Sequence, residues 1–311
     1  MNEQRYDLIG DIHGHYDKAS ALLERLGYEP DGTTWRHLGG RKVIFLGDYI
    51  DRGPKIRETL HLVRGMVEAG DALALMGNHE FNAVIYATPD GKGGHLRPHH
   101  ESNVAQHAVT LATFAGREEE WAGWLAWFRT LPMYLDLGGL RAVHAAWDAR
   151  HLEMLKGAPL MDDAFLHLAG TYRTPEFKAV EVLLKGPELA LPEGLLFTDK
   201  EGIPRKKVRV RWWGIKEGVT LGEVVMPEPM EVTIPLEAHQ IRTMASYPLD
   251  EPPVFFGHYW MNPEGPQVPL APNIVCLDYS AAFGKNPLHA YRWDGERVPL
   301  AEKFVTANGR A

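Results

Sequence analysis

At 311 residues with 45% hydrophobic side chains, the chain can bury the core of one large α/β domain. A formal net charge of −8 argues against a general nucleic-acid or anionic-membrane binder, leaving room only for a local basic groove and favouring a small or transient partner. One cysteine, Cys276 in "NIVCLD", excludes a disulfide framework and a thiolate zinc site, and with neither a basic-then-apolar leader nor an apolar run of about 18 residues the expected localisation is cytoplasmic.

Three apolar stretches, "RYDLIG" (5–10), "RKVIFLG" (41–47) and "DALALMG" (71–77), read as buried strands, each ending in glycine. Between them, Tyr16–Leu26 places Ala19, Leu22, Leu23 and Leu26 on one helical side, and Pro54–Glu68 opens with a first-turn proline. This β-α-β-α-β order predicts a mostly parallel sheet whose strand carboxyl ends are candidate sites. The first end reads "GDIHGHYD" (10–17), the second "GDYIDRG" (47–53) and the third "GNHE" (77–80). Together they offer Asp11, His13, Asp48, Asp51, Arg52, Asn78 and His79, with His15 at the rim. Glycine-flanked acid, amide and imidazole clusters at three successive strand ends are the start of a metal site, not of three polar turns.

Downstream, "GGHLRPHH" (93–100) reads as a surface loop. Trp121, Trp124 and Trp127 form a core stripe on the helix suggested by "EEEWAGWLAWF", and Arg141 is a surface residue ahead of a strand. Helices are expected around Ala149–Leu155 and Asp162–Ala169, followed by proline-punctuated turns and short strands at 185–207. We read residues 1–311 as a single domain in which about 150–245 is an elaboration overhanging the active site.

The motifs GDxHG, GDxxDRG and GNHE, standing at Gly10–Gly14, Gly47–Gly53 and Gly77–Glu80, resemble the signature of the calcineurin-like metallophosphoesterases, and within them the PPP-type phosphoprotein phosphatases. His144 in "RAVHAAWD" and His258 in "VFFGHYW" complete that pattern. "VFFGH", "NIVCLDYSAAFGK" and "LHAYRW" are similar to the closing strands of bacterial phosphatases and symmetrical dinucleoside tetraphosphatases. The expected fold is an α/β, four-layer α/β/β/α sandwich, the first strands in one sheet and segments around 206–213, 253–257, 273–278 and 288–293 in the other.

The resemblance implies two divalent metal ions, one held by Asp11, His13 and Asp48, the other by Asp48, Asn78, His144 and His258, with Asp48 bridging. Oxygen and imidazole donors suit manganese foremost, with iron, zinc, magnesium or nickel as alternatives. Hydrolysis would then proceed by direct attack of metal-activated water, without a covalent enzyme intermediate. His79 is implied as the general acid, oriented by Asp51, and Arg52 as the phosphate clamp. For a second family arginine we place Arg211 in "KKVRVRWWG", with Arg209 next, both on one face of an alternating strand. Where this chain departs from the family, Trp147, Tyr259 and Trp260 are expected to narrow the cleft, and Asp51, usually lacking in the tetraphosphatases, favours phosphatase-type acid machinery.

The expected activity is hydrolysis of phosphomonoesters, on phosphoserine or phosphothreonine proteins or on a small molecule, in preference to diesters and pyrophosphates. The alternatives are a dinucleoside polyphosphate hydrolase, a nucleic-acid-end phosphatase, and a silent phospholigand-binding module. The last would require loss of a ligand or of His79, and neither is lost.

Overall fold

The computed structural model describes residues 4–157, 160–198, 204–244 and 246–309. The three amino-terminal apolar stretches form parallel neighbours. Tyr6–Ile9 pairs with Lys42–Phe45, Leu8 opposite Ile44, and Lys42–Phe45 pairs with Ala72–Ala74. Helices Tyr16–Leu26 and Ile56–Glu68 make the crossovers; the second begins two residues after Pro54, with Lys55 as its N-cap.

Alternation of side chains across these strands builds the layers. Ile9, Val43, Phe45 and Ala74 share a core with the helix residues Leu22, Leu23, Ile56 and Val63. Leu8, Ile44 and Leu46 pack instead with Ala142, Phe255 and Val275 of a second sheet. That sheet runs in the order Ile274–Cys276, Val254–Phe256, Arg141–Val143, Tyr134–Asp136. Its other face, with Val143, Val254 and Phe256, joins Val180 and Leu183 of helix Pro175–Lys185. Helix, sheet, sheet, helix is therefore the layering of this α/β fold.

Two closing segments lie elsewhere than their pattern suggests. Leu288–Trp293 enters the first sheet, antiparallel to Tyr6–Ile9 with Leu8 opposite Tyr291, and Phe304–Ala307 edges it. A strand largely buried on both faces has the same pattern whichever sheet receives it, so pattern does not choose. Lys207–Arg209 enters neither large sheet. It pairs with Glu188–Ala190 in a two-stranded ribbon, over a satellite core containing Val208, Val210, Leu221 and Val224. The turns and strands expected at 185–207 lie outside the described residues at 199–203.

Trp124 and Trp127 are buried in the main core with Trp121 packed against it, as their helical spacing predicts. Arg141 is not a plain surface residue: it bonds Asp136, Tyr247 and Glu251, and its guanidinium lies 5.0 Å from the Trp147 ring. Among the described residues no helix is long and apolar enough to cross a membrane.

Candidate functional site

The three parallel strands deliver their loops to one edge. Asp11 and His13 follow the first, Asp48, Asp51 and Arg52 the second, and Asn78 and His79 open the helix Asn78–Ala87 after the third. The second sheet adds His144 after Arg141–Val143 and His258 after Val254–Phe256. Backbone bonds tie the loops together: His13 N–H donates to the Asp48 carbonyl at 2.8 Å, and Gly53 N–H to the His13 carbonyl at 2.8 Å. The wholly buried Glu80 carboxylate accepts four more N–H groups. Oε2 takes those of Asp48 (2.9 Å) and Gly77 (3.1 Å), and Oε1 those of Tyr49 (2.8 Å) and Ile50 (3.2 Å).

Such close approach strains the backbone. His13, Asp48, Asp51, Arg52, His258 and Trp260 all hold φ between 46° and 70°. Each such non-glycine residue costs on the order of 1–3 kcal/mol and persists only where the surroundings enforce it, as at functional sites. At Gly257 a Cβ would lie 2.0 Å from Asp11 Oδ1, so only glycine lets this carboxylate in.

The imidazoles are oriented for a cation. His13 donates its Nδ1 proton to the Ile50 carbonyl at 2.9 Å, and His144 its Nδ1 proton to the Leu46 carbonyl at 2.7 Å. When neutral, each ring turns a bare Nε2 toward Asp48 Oδ2, at 3.5 and 3.4 Å. Acceptor facing acceptor is repulsive until positive charge lies between them. Two sets of ligand atoms lie within 4.8 Å of one another, His13 with Asp48 and His79, and Asp48 with His144 and His258. Asn78 Oδ1 is 3.1 Å from His144 Nε2. Asp11 accepts the His258 N–H at 3.0 Å, and Asp11 Oδ1, His13 Nε2 and His258 Nε2 are buried without a hydrogen-bond partner. These hard and borderline donors around one shared carboxylate fit divalent metal ions. The first set holds His79 where the resemblance implies Asp11.

The electrostatics express the same demand for positive charge. Burial pushes His144 down, but Asp48 outweighs it and raises the imidazole to about 10. Burial beside His79 lowers His13 to about 3. Asp48, which burial would raise, is held well below the usual carboxylate range by His144 and His79. Burial, with Asp278 and Asp48 close by, raises Asp11. Protons and metal thus compete for one place.

Asp51 Oδ2 accepts the Nδ1 proton of His79 at 2.5 Å, leaving His79 Nε2 turned toward Asp48 Oδ2, 4.0 Å away. Burial works against protonated His79, yet Asp48 and Asp51 raise its proton affinity above the ordinary value. The motifs did not identify His107 and Thr110 of the helix Glu101–Thr113. His107 Nδ1 donates to Asp51 Oδ1 at 2.9 Å, and the Thr110 hydroxyl donates to that oxygen while accepting the Asp51 N–H at 3.0 Å. Their i, i+3 spacing was the only available signal. Asp278 was also missed; it accepts the N–H groups of Trp260 (2.7 Å) and Ser280 (2.9 Å).

Asp48, Asn78, His79 and His258 line a cavity of about 560 Å3. Its walls include Arg52, Tyr259, Trp260, Arg205, Lys207 and Arg209. The Arg52 guanidinium lies 4.6 Å from the Trp260 ring and that of Arg209 6.0 Å from the same ring. Arg209, not Arg211, therefore faces the site. The strand ends at Arg209, so its alternation does not carry on to Arg211, which is half-buried with its N–H on the Val224 carbonyl. Trp147 does not narrow this cavity either. It packs at 5.6 Å on Tyr134 and lines a separate cavity of about 470 Å3 with Arg141.

A family model described as calcineurin-like phosphoesterase matches residues 5–167. Over 142 residues the chain is 33% identical to the bis(5'-nucleosyl)-tetraphosphatase PrpE [asymmetrical] of Bacillus velezensis, covering 45% of this chain and 55% of that protein. It is 31% identical over 145 residues to the bis(5'-nucleosyl)-tetraphosphatase, symmetrical, of Methylococcus capsulatus, covering 45% and 44%. The chain thus spans about half the length of these curated relatives. A protein serine/threonine phosphatase from Saccharomyces cerevisiae has a similar fold, with a TM-score of 0.50 at 12% identity over 100% of this chain and 81% of that one.

Proposed function

The chain belongs to the calcineurin-like phosphoesterases, and from that premise we propose that it is a metal-dependent hydrolase of small molecules carrying several phosphates, with dinucleoside polyphosphates as the class that fits best. One observation carries this reading: Arg205, Lys206, Lys207 and Arg209 all line the cavity that holds Asp48, His79 and Arg52, with Glu188 the acid beside them. Four cations in one segment exceed what one phosphate dianion uses, in a chain whose net charge is −8. The cavity volume lies in the range of small-ligand sites. The tetraphosphatase relatives support the same class.

In this reading Asp11, His13, Asp48, Asn78, His144 and His258 hold two divalent ions. Bound there, the ions supply Lewis acidity to phosphoryl oxygens and make a water acidic near neutral pH. Arg52 presents its paired N–H donors to the scissile phosphate, kept in orientation by the Trp260 and Phe283 rings at 4.6 and 5.1 Å. Protonated His79 delivers its Nε2 proton to the leaving oxygen while Asp51 holds the ring from Nδ1. Arg205, Lys207 and Arg209 bind the phosphates beyond the one attacked, and residues 150–245 act as part of one catalytic unit.

Phosphomonoester hydrolysis is the second reading, favoured by Arg52, Asn78 and His79 lining the cavity beside Asp48, a set of donors that suits a terminal dianion. Turnover with manganese of diadenosine tetraphosphate, a phosphoserine peptide, a nucleoside monophosphate and bis-nitrophenyl phosphate separates them. The tetraphosphate should have the highest kcat/KM by about tenfold, a gain of the size that one added charged contact supplies. A monoester ahead by that margin establishes the second reading, and the diester ahead overturns both.

A further inference from the structure

We infer that His107, assisted by Thr110, is a positioning residue for the general acid, acting on His79 through Asp51. The inference rests on the hydrolase reading above. It starts from how the Asp51 carboxylate is shared: Oδ2 receives His79 Nδ1 at 2.5 Å, and Oδ1 receives His107 Nδ1 at 2.9 Å together with the Thr110 hydroxyl. An ionised carboxylate only accepts, so both rings point a proton at it and both tautomers are fixed. A carboxylate held at one oxygen can turn about its Cβ–Cγ bond. Held at both, it cannot, and the His79 plane is fixed with it.

The surroundings serve this arrangement. Asp51 lies on strained backbone with φ 65°, and Thr110 accepts its N–H at 3.0 Å, so one helical turn clamps both main chain and side chain. The His107 ring is itself packed, with Tyr86 at 5.4 Å and Trp121 at 5.8 Å, and His99 of the 93–100 loop stacks on Tyr86 at 3.7 Å. The space beside it measures about 10 Å3, room for roughly one water. A histidine placed only to fill a core would not need its proton aimed at the carboxylate that orients the acid.

The test compares 4-nitrophenyl phosphate with an alkyl phosphate, whose poor leaving group depends on the acid, using the manganese-loaded full chain. His107→Leu should lower kcat on the alkyl ester by about tenfold or more, with KM and metal content unchanged and a loss of no more than about threefold on the nitrophenyl ester. His107→Gln, which keeps a donor, should recover most of that loss and serves if the leucine variant does not fold. Combined with Asp51→Asn, His107→Leu should cost nothing further, because both act on one element. Additive losses, or equal losses on the two esters, overturn the positioning role while leaving the hydrolase reading intact. A wild-type protein that cleaves neither ester nor diadenosine tetraphosphate overturns that reading, and this inference with it.

Discussion

Replacing Glu80 by glutamine tests what holds the site's loops together. The carboxylate accepts two backbone N–H groups on each oxygen, and none of the four can reach water because the side chain is wholly buried. Glutamine is nearly isosteric, but only its carbonyl oxygen accepts. Its amide must face the other two N–H groups, donor against donor. Each buried donor left unpaired costs about 1–3 kcal/mol, so Glu80→Gln should cost about 2–6 kcal/mol. Against a typical stability of about 5–15 kcal/mol this is a large share. It should appear as a fall in Tm on the order of 10 °C. Because those N–H groups belong to Asp48, Tyr49, Ile50 and Gly77, the loops should loosen where Asp48 and Asn78 present their ligand atoms, and bound metal should fall in parallel. Thermal denaturation and metal analysis of the purified variant decide it. A melt within about 2 °C of wild type, with full metal content, would refute the reasoning, since two such bonds on one buried group cannot be lost so cheaply.

Asp48→Asn should weaken both metal ions by at least about 100-fold, because both ligand sets contain Asp48, whereas His258→Gln should weaken mainly one; metal stoichiometry of each variant distinguishes them. His79→Asn should slow alkyl phosphate hydrolysis by about 100-fold and nitrophenyl phosphate far less, and equal losses would reject it as the acid. Lys207→Glu with Arg209→Glu should raise KM for diadenosine tetraphosphate by about tenfold or more while leaving that for nitrophenyl phosphate within about threefold. His289, 1% exposed, stacked on Tyr279 at 4.2 Å, is held neutral by burial, down to about 4. The unfolded chain takes up its proton near pH 6.5, so stability is full above that pH and is lost as pH falls toward about 4. The loss reaches on the order of 3 kcal/mol. Denaturant melts at pH 7, 6 and 5 should show this slope in wild type and a flatter one in His289→Gln.

What the sequence by itself determined is local: strands that end in glycine, loops that open from them, and the residue types those loops carry. Asp11, His13, Asp48, Asn78 and His79 are legible because the parallel β-α-β-α-β order brings successive strand ends together whatever else the chain does. His144 and His258 needed the resemblance, for an isolated histidine after a short strand carries no spacing signal of its own. Tertiary structure decided the rest. Which sheet receives Leu288–Trp293 depends on its pairing with Tyr6–Ile9 and Phe304–Ala307, to which its own largely buried sequence pattern is indifferent. That Arg209 rather than Arg211 reaches the cavity depends on where a three-residue strand stops. That Trp147 serves another cavity depends on its packing against Tyr134 and Arg141. His107 lies 56 residues from Asp51 along the chain, and Glu80 reaches 30–32 residues back to three of its four donors. Periodicity reports which face of its own element a side chain occupies; which distant element meets that face is set only when the layers close, because the contact energy belongs to the pair and not to either segment.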